Sequence, residues 1–302
     1  MSTLSRREFM AKSAGAGIAA SSLMLSQKLV ADDAWALVVV KNGSPAQLVR
    51  QAIETLGGMS RFVKKGQTVL IKPNIGWDRL PEQAANTNPD EVAQVVKMCK
   101  EAGAKRVRVL DRTCNQARRC YKRSGIEAAS KKAGAEVRHI VKSRFKSVSI
   151  PNGELVKSWP FYRDALEADV FINMPIAKDH SISRVTLGFK NIMGIIGGDR
   201  GQIHKNFMTK IVDLNLAIKP TLTIIDAYRV LLRNGPSGGN LADVAEKKIV
   251  IAGTDPVAVD SYAMGLFDID PGQVEYLKNA TRRGLGQMDL SKVKMKVVDL
   301  SA

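Results

Sequence analysis

The sequence predicts an α/β protein, a mostly parallel or mixed sheet with helices on both faces, and three observations carry that reading. Short apolar runs rich in Val, Ile and Leu recur along the chain, as in Leu37 to Val40, Thr68 to Lys72 and Val170 to Ile172. Segments with apolar residues every three to four positions alternate with them, which is helical spacing. The intervals between runs leave room for crossover helices, and unalternated apolar runs suit strands buried on both faces.

Leu37 to Lys41 reads as the first strand. Ser44-Pro45 supplies a cap and a first-turn proline for a helix with Leu48, Ala52 and Leu56 on one side, closed by Gly57-Gly58. Thr68 to Lys72 is the next strand and runs into Pro73-Asn74. Asn88-Pro89-Asp90-Glu91 opens a helix with Val92, Val95, Val96 and Cys99 on its apolar side, stopped at Gly103. Val107 to Leu110 is a strand ending at Asp111, Ile126 to Lys132 a short helix and Glu136 to Val141 another strand. Residues 146–160 read as a hairpin turning at Pro151-Asn152-Gly153. Ala165 to Ala168 closes a helix before the strand at 170–172, and Pro175 then opens a loop. Met208 to Ile218 is helical, Thr221 to Ile225 a strand ending at Asp226, and Ile249 to Ala252 a strand. Asp255-Pro256 caps a helix to Leu266, Pro271 begins another, and Met295 to Val298 is the last strand. With no internal repeat or linker, residues 32–302 read as a single domain, a division into two lobes near residue 145 being left open.

At 302 residues and 45% apolar, the chain can build a substantial core, and with 5% aromatics that core falls to aliphatic side chains. The formal charge is +17, and removing the first 31 residues, with Arg6, Arg7, Lys12 and Lys28 against Glu8, leaves the basic excess in place. Such a surface attracts anionic partners. Specific nucleic-acid binding is not expected, because the basic runs are short and no aromatic-studded basic strand accompanies them.

Ser5-Arg6-Arg7-Glu8-Phe9-Met10 precedes a weakly apolar run from Ala14 to Leu25. The pairing resembles a bacterial twin-arginine translocation signal, and the run is short for a membrane span of about 20 residues. Residues 1–31 are therefore read as a signal segment, recognised by the twin-arginine translocation machinery. The mature protein is expected to be periplasmic or otherwise exported, with no stable transmembrane span after processing. Ala34-Trp35-Ala36 and Ala31 are alternative cleavage regions.

The densest chemistry lies between Asp169 and Asn206. An apolar strand there leads to Lys178, Asp179 and His180, and then to Lys190, Asn191 and a glycine-rich segment (Gly194, Gly197, Gly198, Gly201) ending at His204. Loops at strand ends are where open α/β sheets build sites. Several strands end in a polar residue (Lys72, Asp111, Asn173, Asp226), which suggests a common rim.

Ile71-Lys72-Pro73-Asn74, Pro175 through His180, Gly188 through Gly194, His204 and Asp226 stand in a recognisable order. Asn234-Gly235-Pro236-Ser237-Gly238-Gly239 and Asp255-Pro256-Val257-Ala258-Val259-Asp260 continue it. Together they resemble the bacterial and archaeal family called domain of unknown function 362, over roughly residues 36–300. Some members carry a fused ferredoxin-type module, so the resemblance implies redox work with an iron–sulfur or acidic redox partner. This chain has only Cys99, Cys114 and Cys120, without the tight spacing of a ferredoxin cluster, so no intrinsic iron–sulfur cluster is expected.

The cofactor is thus unknown, with a divalent metal one option: His180 and His204 are candidate ligands, with Asp179 or Asp226 supplying an oxygen. Alternatively Lys178 and Lys190, with the Gly194–Gly201 stretch and Arg200, hold a phosphate or carboxylate. His180, His204, Lys190 and Lys178 are the candidate catalytic residues. Lys72, Asn74, Asn191, Gly194, Asp226 and Asp260 are the candidate ligand-binding residues from neighbouring strand ends. Asp255 is read first as a helix cap, and Cys114 with Cys120 as a candidate disulfide after export. The leading expectation is an exported protein binding a small anionic substrate, with or without a metal. A proton-transfer enzyme, by analogy to the nickel-pincer lactate racemase, and a non-enzymatic periplasmic anion- or metal-binding module are the alternatives.

Overall fold

The structure, a computed structural model, describes residues 35–301, so the twin-arginine segment lies outside the described residues. A ten-stranded mixed sheet runs through the molecule in the order β12-β1-β11-β10-β7-β2-β3-β4, with β8 pairing β10 and β9. The strands are β1 (Leu37–Lys41), β2 (Thr68–Pro73), β3 (Arg106–Val109), β4 (Glu136–Val137), β7 (Val170–Met174), β8 (Ile176–His180), β9 (Arg184–Thr186), β10 (Leu222–Leu231), β11 (Val244–Gly253) and β12 (Met295–Asp299). The run β10-β7-β2-β3-β4 is parallel throughout, while β11 is antiparallel to both its neighbours.

Side-chain alternation along these strands feeds two cores, one on each face of the sheet. Leu70, Phe171, Ile225 and Ile251 pack on one side, against helices Phe207–Ala217, Pro256–Met264 and Glu275–Arg282. Val69, Ile71, Val170, Ile172 and Val250 pack on the other, against helices Pro45–Thr55 and Pro89–Glu101. Both faces being covered explains the near-continuous apolar runs.

Three expectations change. The strand at Thr221–Ile225 continues to Leu231, because β10 and β11 form a ten-residue hairpin whose connection carries the Asn234–Gly239 cluster. The predicted strand 136–141 shrinks to Glu136–Val137, since β4 finds only β3 as a partner. Most consequential, residues 176–180 are not a loop. After Pro175 the chain re-enters the sheet as β8, parallel to β10 and antiparallel to β9. The 146–160 hairpin forms, as β5 (Phe145–Ser149) and β6 (Ser158–Tyr162), in a separate two-stranded sheet anchored by Phe161 in the main core.

Asp255 is a helix cap: its Oδ1 accepts from the Val257 and Ala258 N–H groups, both at 2.9 Å, and its Oδ2 from the Gln287 N–H. Asp255→Ala is expected to cost about 1–2 kcal/mol, measured by denaturant unfolding, without altering the pocket described next. No helix among the described residues is long and apolar enough to cross a membrane.

Candidate functional site

The C-terminal ends of the parallel strands β2 and β3 meet β8, which follows β7, around a cavity of about 240 Å³. β2 delivers Lys72, and Asn74 follows it; β3 leads to Asp111, Arg112 and Cys114. β8 presents Lys178 and His180 on one face, with Asp179 turned to the other as strand alternation requires. Thr186 on β9 stands opposite Lys178. The short helices Gly188–Asn191 and Gly201–His204 contribute Lys190, Asn191 and His204 to the same wall.

Lys72 is an anchor. Its ammonium, wholly buried, lies 2.8 Å from Asp111 Oδ1 and donates to Pro73 O (2.7 Å) and Asn191 Oδ1 (2.8 Å). Those three oxygens exhaust its donors, so Lys72 fixes the site and has nothing left for a ligand. Burial lowers its pKa, and Asp111 opposes that most strongly. Asp111 also accepts from the Ile75 N–H at 2.6 Å, which ties the ends of β2 and β3 together.

A chain of amides continues from this anchor. Asn191 Oδ1 accepts from Asn74 Nδ2 (3.2 Å), and Asn191 Nδ2 donates to Asn173 Oδ1 (2.8 Å) and to Lys72 O (3.2 Å). Asn74 Oδ1 accepts in turn from Lys178 Nζ at 3.1 Å. Gly194 passes this cluster so closely that a Cβ would overlap Asp111 Oδ1 and Lys72 Cε. The glycine is there for space.

Lys178 and Lys190 differ from Lys72: neither forms an ion pair among the described residues. Lys178 Nζ donates to Asn74 Oδ1 and the Ala85 carbonyl, while Lys190 Nζ meets His204 Nε2 at 3.2 Å and the Met193 sulfur at 3.8 Å. Burial drives the pKa of each down to about 7. Arg112 and Arg200 add charge at the wall, with Arg200 clasping the carbonyls of Arg112 and Thr113. Among the described residues the one carboxylate lining the cavity, Asp111, is already committed to Lys72.

The histidines are brought together, with ring centroids 5.9 Å apart and near-parallel planes. They are not arranged as metal ligands. His180 Nδ1 accepts from the backbone N–H of Ile182 (3.1 Å) and Ser183 (3.4 Å), so in the neutral ring the proton sits on Nε2. A ligating Nε2 needs the opposite tautomer, with Nδ1 donating to a carbonyl or carboxylate. Burial, with Lys190 and His204 nearby, pushes the His180 pKa down to about 3, so the ring is a neutral donor. His204 is lowered too, by burial first and then by Lys190. Among the described residues no group of three or more His, Cys, Asp or Glu is placed to hold a metal ion.

Three expected members lie elsewhere. Asp179 Oδ2 accepts from the Gly235 N–H at 2.8 Å, on the far face of β8. Asp226 accepts from the Asn88 N–H (2.7 Å) and the Tyr228 N–H (3.0 Å), pinning the start of helix Pro89–Glu101. Burial raises it to about 6, and burial together with Asp226 raises the adjoining Glu91 well above the carboxylate range. Asp260 accepts from the Gly188 and Phe189 N–H groups and the Tyr276 hydroxyl, and burial raises it to about 7. It thereby fixes the helix carrying Lys190 and Asn191 and supports the site from behind. Cys114, exposed, and Cys120, buried, are both free thiols, so the candidate disulfide is not formed.

Trp77, Thr186 and Cys114 also line the wall, with Gly76, Met193 and Pro236, and no sequence signal assigns the first three to it; Asp111 is marked in the sequence only as a polar strand end.

A thylakoid-associated protein of Synechocystis sp. is 29% identical over 251 residues, covering 80% of this chain and 76% of that protein. Among solved structures, the lactate racemase apoprotein from Thermoanaerobacterium thermosaccharolyticum gives a TM-score of 0.42 at 13% identity, covering 72% of this chain. A Thermotoga maritima protein gives 0.43 at 11% identity over 75% of this chain. The chain spans 54% and 60% of those two structures' lengths. The model of the family described as Domain of unknown function (DUF362) matches residues 69–265, and the chain belongs to that family.

Proposed function

We propose that the pocket binds a small anionic substrate, a carboxylate or phosphate, through Lys178 and Lys190. One observation carries this: Lys178, buried, and Lys190, half-buried, have no carboxylate partner among the described residues and open onto one cavity of about 240 Å³. An uncompensated buried ammonium is costly, and the molecule relieves that cost by lowering both pKa values or by accepting an anion. The His180 Nε2–H offers a neutral donor to a second ligand oxygen. Titration with acetate and inorganic phosphate, followed by NMR, tests the reading. Saturable shifts of pocket resonances that Lys190→Gln weakens are expected; their absence with both anions at 10 mM, on the order of weak-site affinities, sinks it.

A second reading, proton transfer on the bound anion, is favoured by the Lys190 Nζ to His204 Nε2 contact of 3.2 Å. A lysine with a pKa near 7 suits general acid–base work at neutral pH. Lys190 would take a proton from a carbon or oxygen of the ligand, with His204 holding its amine in line. Exchange of ligand C–H for deuterium in D₂O separates this enzyme from a pure binding module.

Export by the twin-arginine route is also proposed, on Ser5 to Met10. Replacing Arg6 and Arg7 together with lysine is expected to leave the protein in the cytoplasmic fraction. Unchanged fractionation would remove the proposal.

A further inference from the structure

Cys114 lines the pocket assigned above to an anion. Its backbone is pinned, the N–H donating to Gly76 O at 2.8 Å, and the Arg200 guanidinium lies 4.0 Å from Sγ while clasping the two preceding carbonyls. The residue is exposed and lines the same cavity as Lys178 and Lys190. An independent feature of the same wall is a buried hydroxyl. Thr186 is 3% exposed, lines the cavity, and its Oγ1 has no hydrogen-bond partner among the described residues. A buried hydroxyl without a partner costs stability unless a ligand or water meets it.

We propose that Cys114 is a reactive thiol of this pocket, a covalent attachment site for a small carboxylate that carries an electrophilic carbon. The carboxylate seats against Lys178 and Lys190, with Thr186 meeting a ligand oxygen, and the electrophilic carbon is left beside Sγ. The inference rests on the anion-binding reading above. The other two cysteines do not compete: burial pushes Cys99 up to about 12 and Cys120 to about 11.

Iodoacetate belongs to this ligand class, and iodoacetamide is the same electrophile without the charge. With either, sulfur attacks the methylene carbon, the C–S bond forms as C–I breaks, iodide leaves with the bonding pair, and the thiol proton passes to solvent. Rates of labelling of the full chain at pH 7 are measured by intact mass and peptide mapping, each normalised to free cysteine under the same conditions. The expected result is a preference for iodoacetate on the order of tenfold, the size of local electrostatic enrichment. It should map to Cys114, vanish in Cys114→Ser, shrink in Lys190→Gln and be suppressed by inorganic phosphate. Equal normalised rates, or labelling elsewhere, overturn the proposal. If phosphate and acetate still bind saturably in the NMR titration, only the thiol's role falls; if they do not bind, the anion pocket falls with it.

Discussion

Gly194→Ala is expected to lower the unfolding free energy by about 3–5 kcal/mol, the cost of breaking a buried ion pair, and to abolish anion binding. The glycine is not in a left-handed conformation, so the effect comes from space alone. A methyl group at this position would overlap Asp111 Oδ1 and Lys72 Cε. Moving Asp111 aside leaves the Lys72 ammonium uncompensated where neither partner reaches solvent, and strips the Ile75 N–H of its acceptor. A fall in melting temperature of roughly 10 °C follows for a domain of this size. Gly201→Ala is the control: its Cβ would meet only the exposed Asp199 side chain, at 3.0 Å. A Gly194→Ala protein that melts like the parent would mean that the Lys72–Asp111 anchor is misplaced.

The second large effect is on pH dependence. With pKa values of about 7 in the empty pocket, Lys178 and Lys190 are largely charged at pH 6 and largely neutral at pH 9. An anion binds the charged form, so affinity is full below pH 7 and falls as pH rises through it. Each lysine that must be recharged contributes up to one tenfold loss per pH unit, roughly a hundredfold between pH 7 and pH 9. His180, at about 3, is neutral across this window and adds no slope. Lys190→Arg keeps its charge at every pH and should retain binding with a shallower dependence. Calorimetric titration with phosphate is confounded by the anion's own ionisation, so acetate is the ligand of choice. Acetate affinity constant from pH 6 to pH 9 would count against both lysines.

Most of the sheet was legible because burial on two faces leaves a plain mark: β1, β7 and residues 249–252 of β11 follow directly from apolar runs, while the more exposed residues 244–248 of β11 do not. The site was legible only in part. Lys178, His180, Lys190, Asn191, Gly194 and His204 are close in sequence, and that closeness alone marks the stretch as a candidate site. The alternation of Lys178 and His180 against Asp179 was hidden, since Pro175 signals a break and β8 is a strand only by virtue of its partners. Asp226 and Asp260 misled for a related reason: a carboxylate at a strand end or helix start looks the same whether it faces a ligand or backbone N–H groups. Asp111, Cys114 and Trp77 come from other strand ends, and no local spacing ties them to the central stretch.

The amides of Asn74, Asn173 and Asn191 bring a last consequence. They hold the floor of the cavity rigid while contributing no net charge of their own. Carboxylates of the same shape could accept hydrogen bonds but donate none, and they would cancel the lysines and leave a neutral hollow. By entrusting stiffness to uncharged groups, the protein keeps its attraction unspent until something negative arrives from outside.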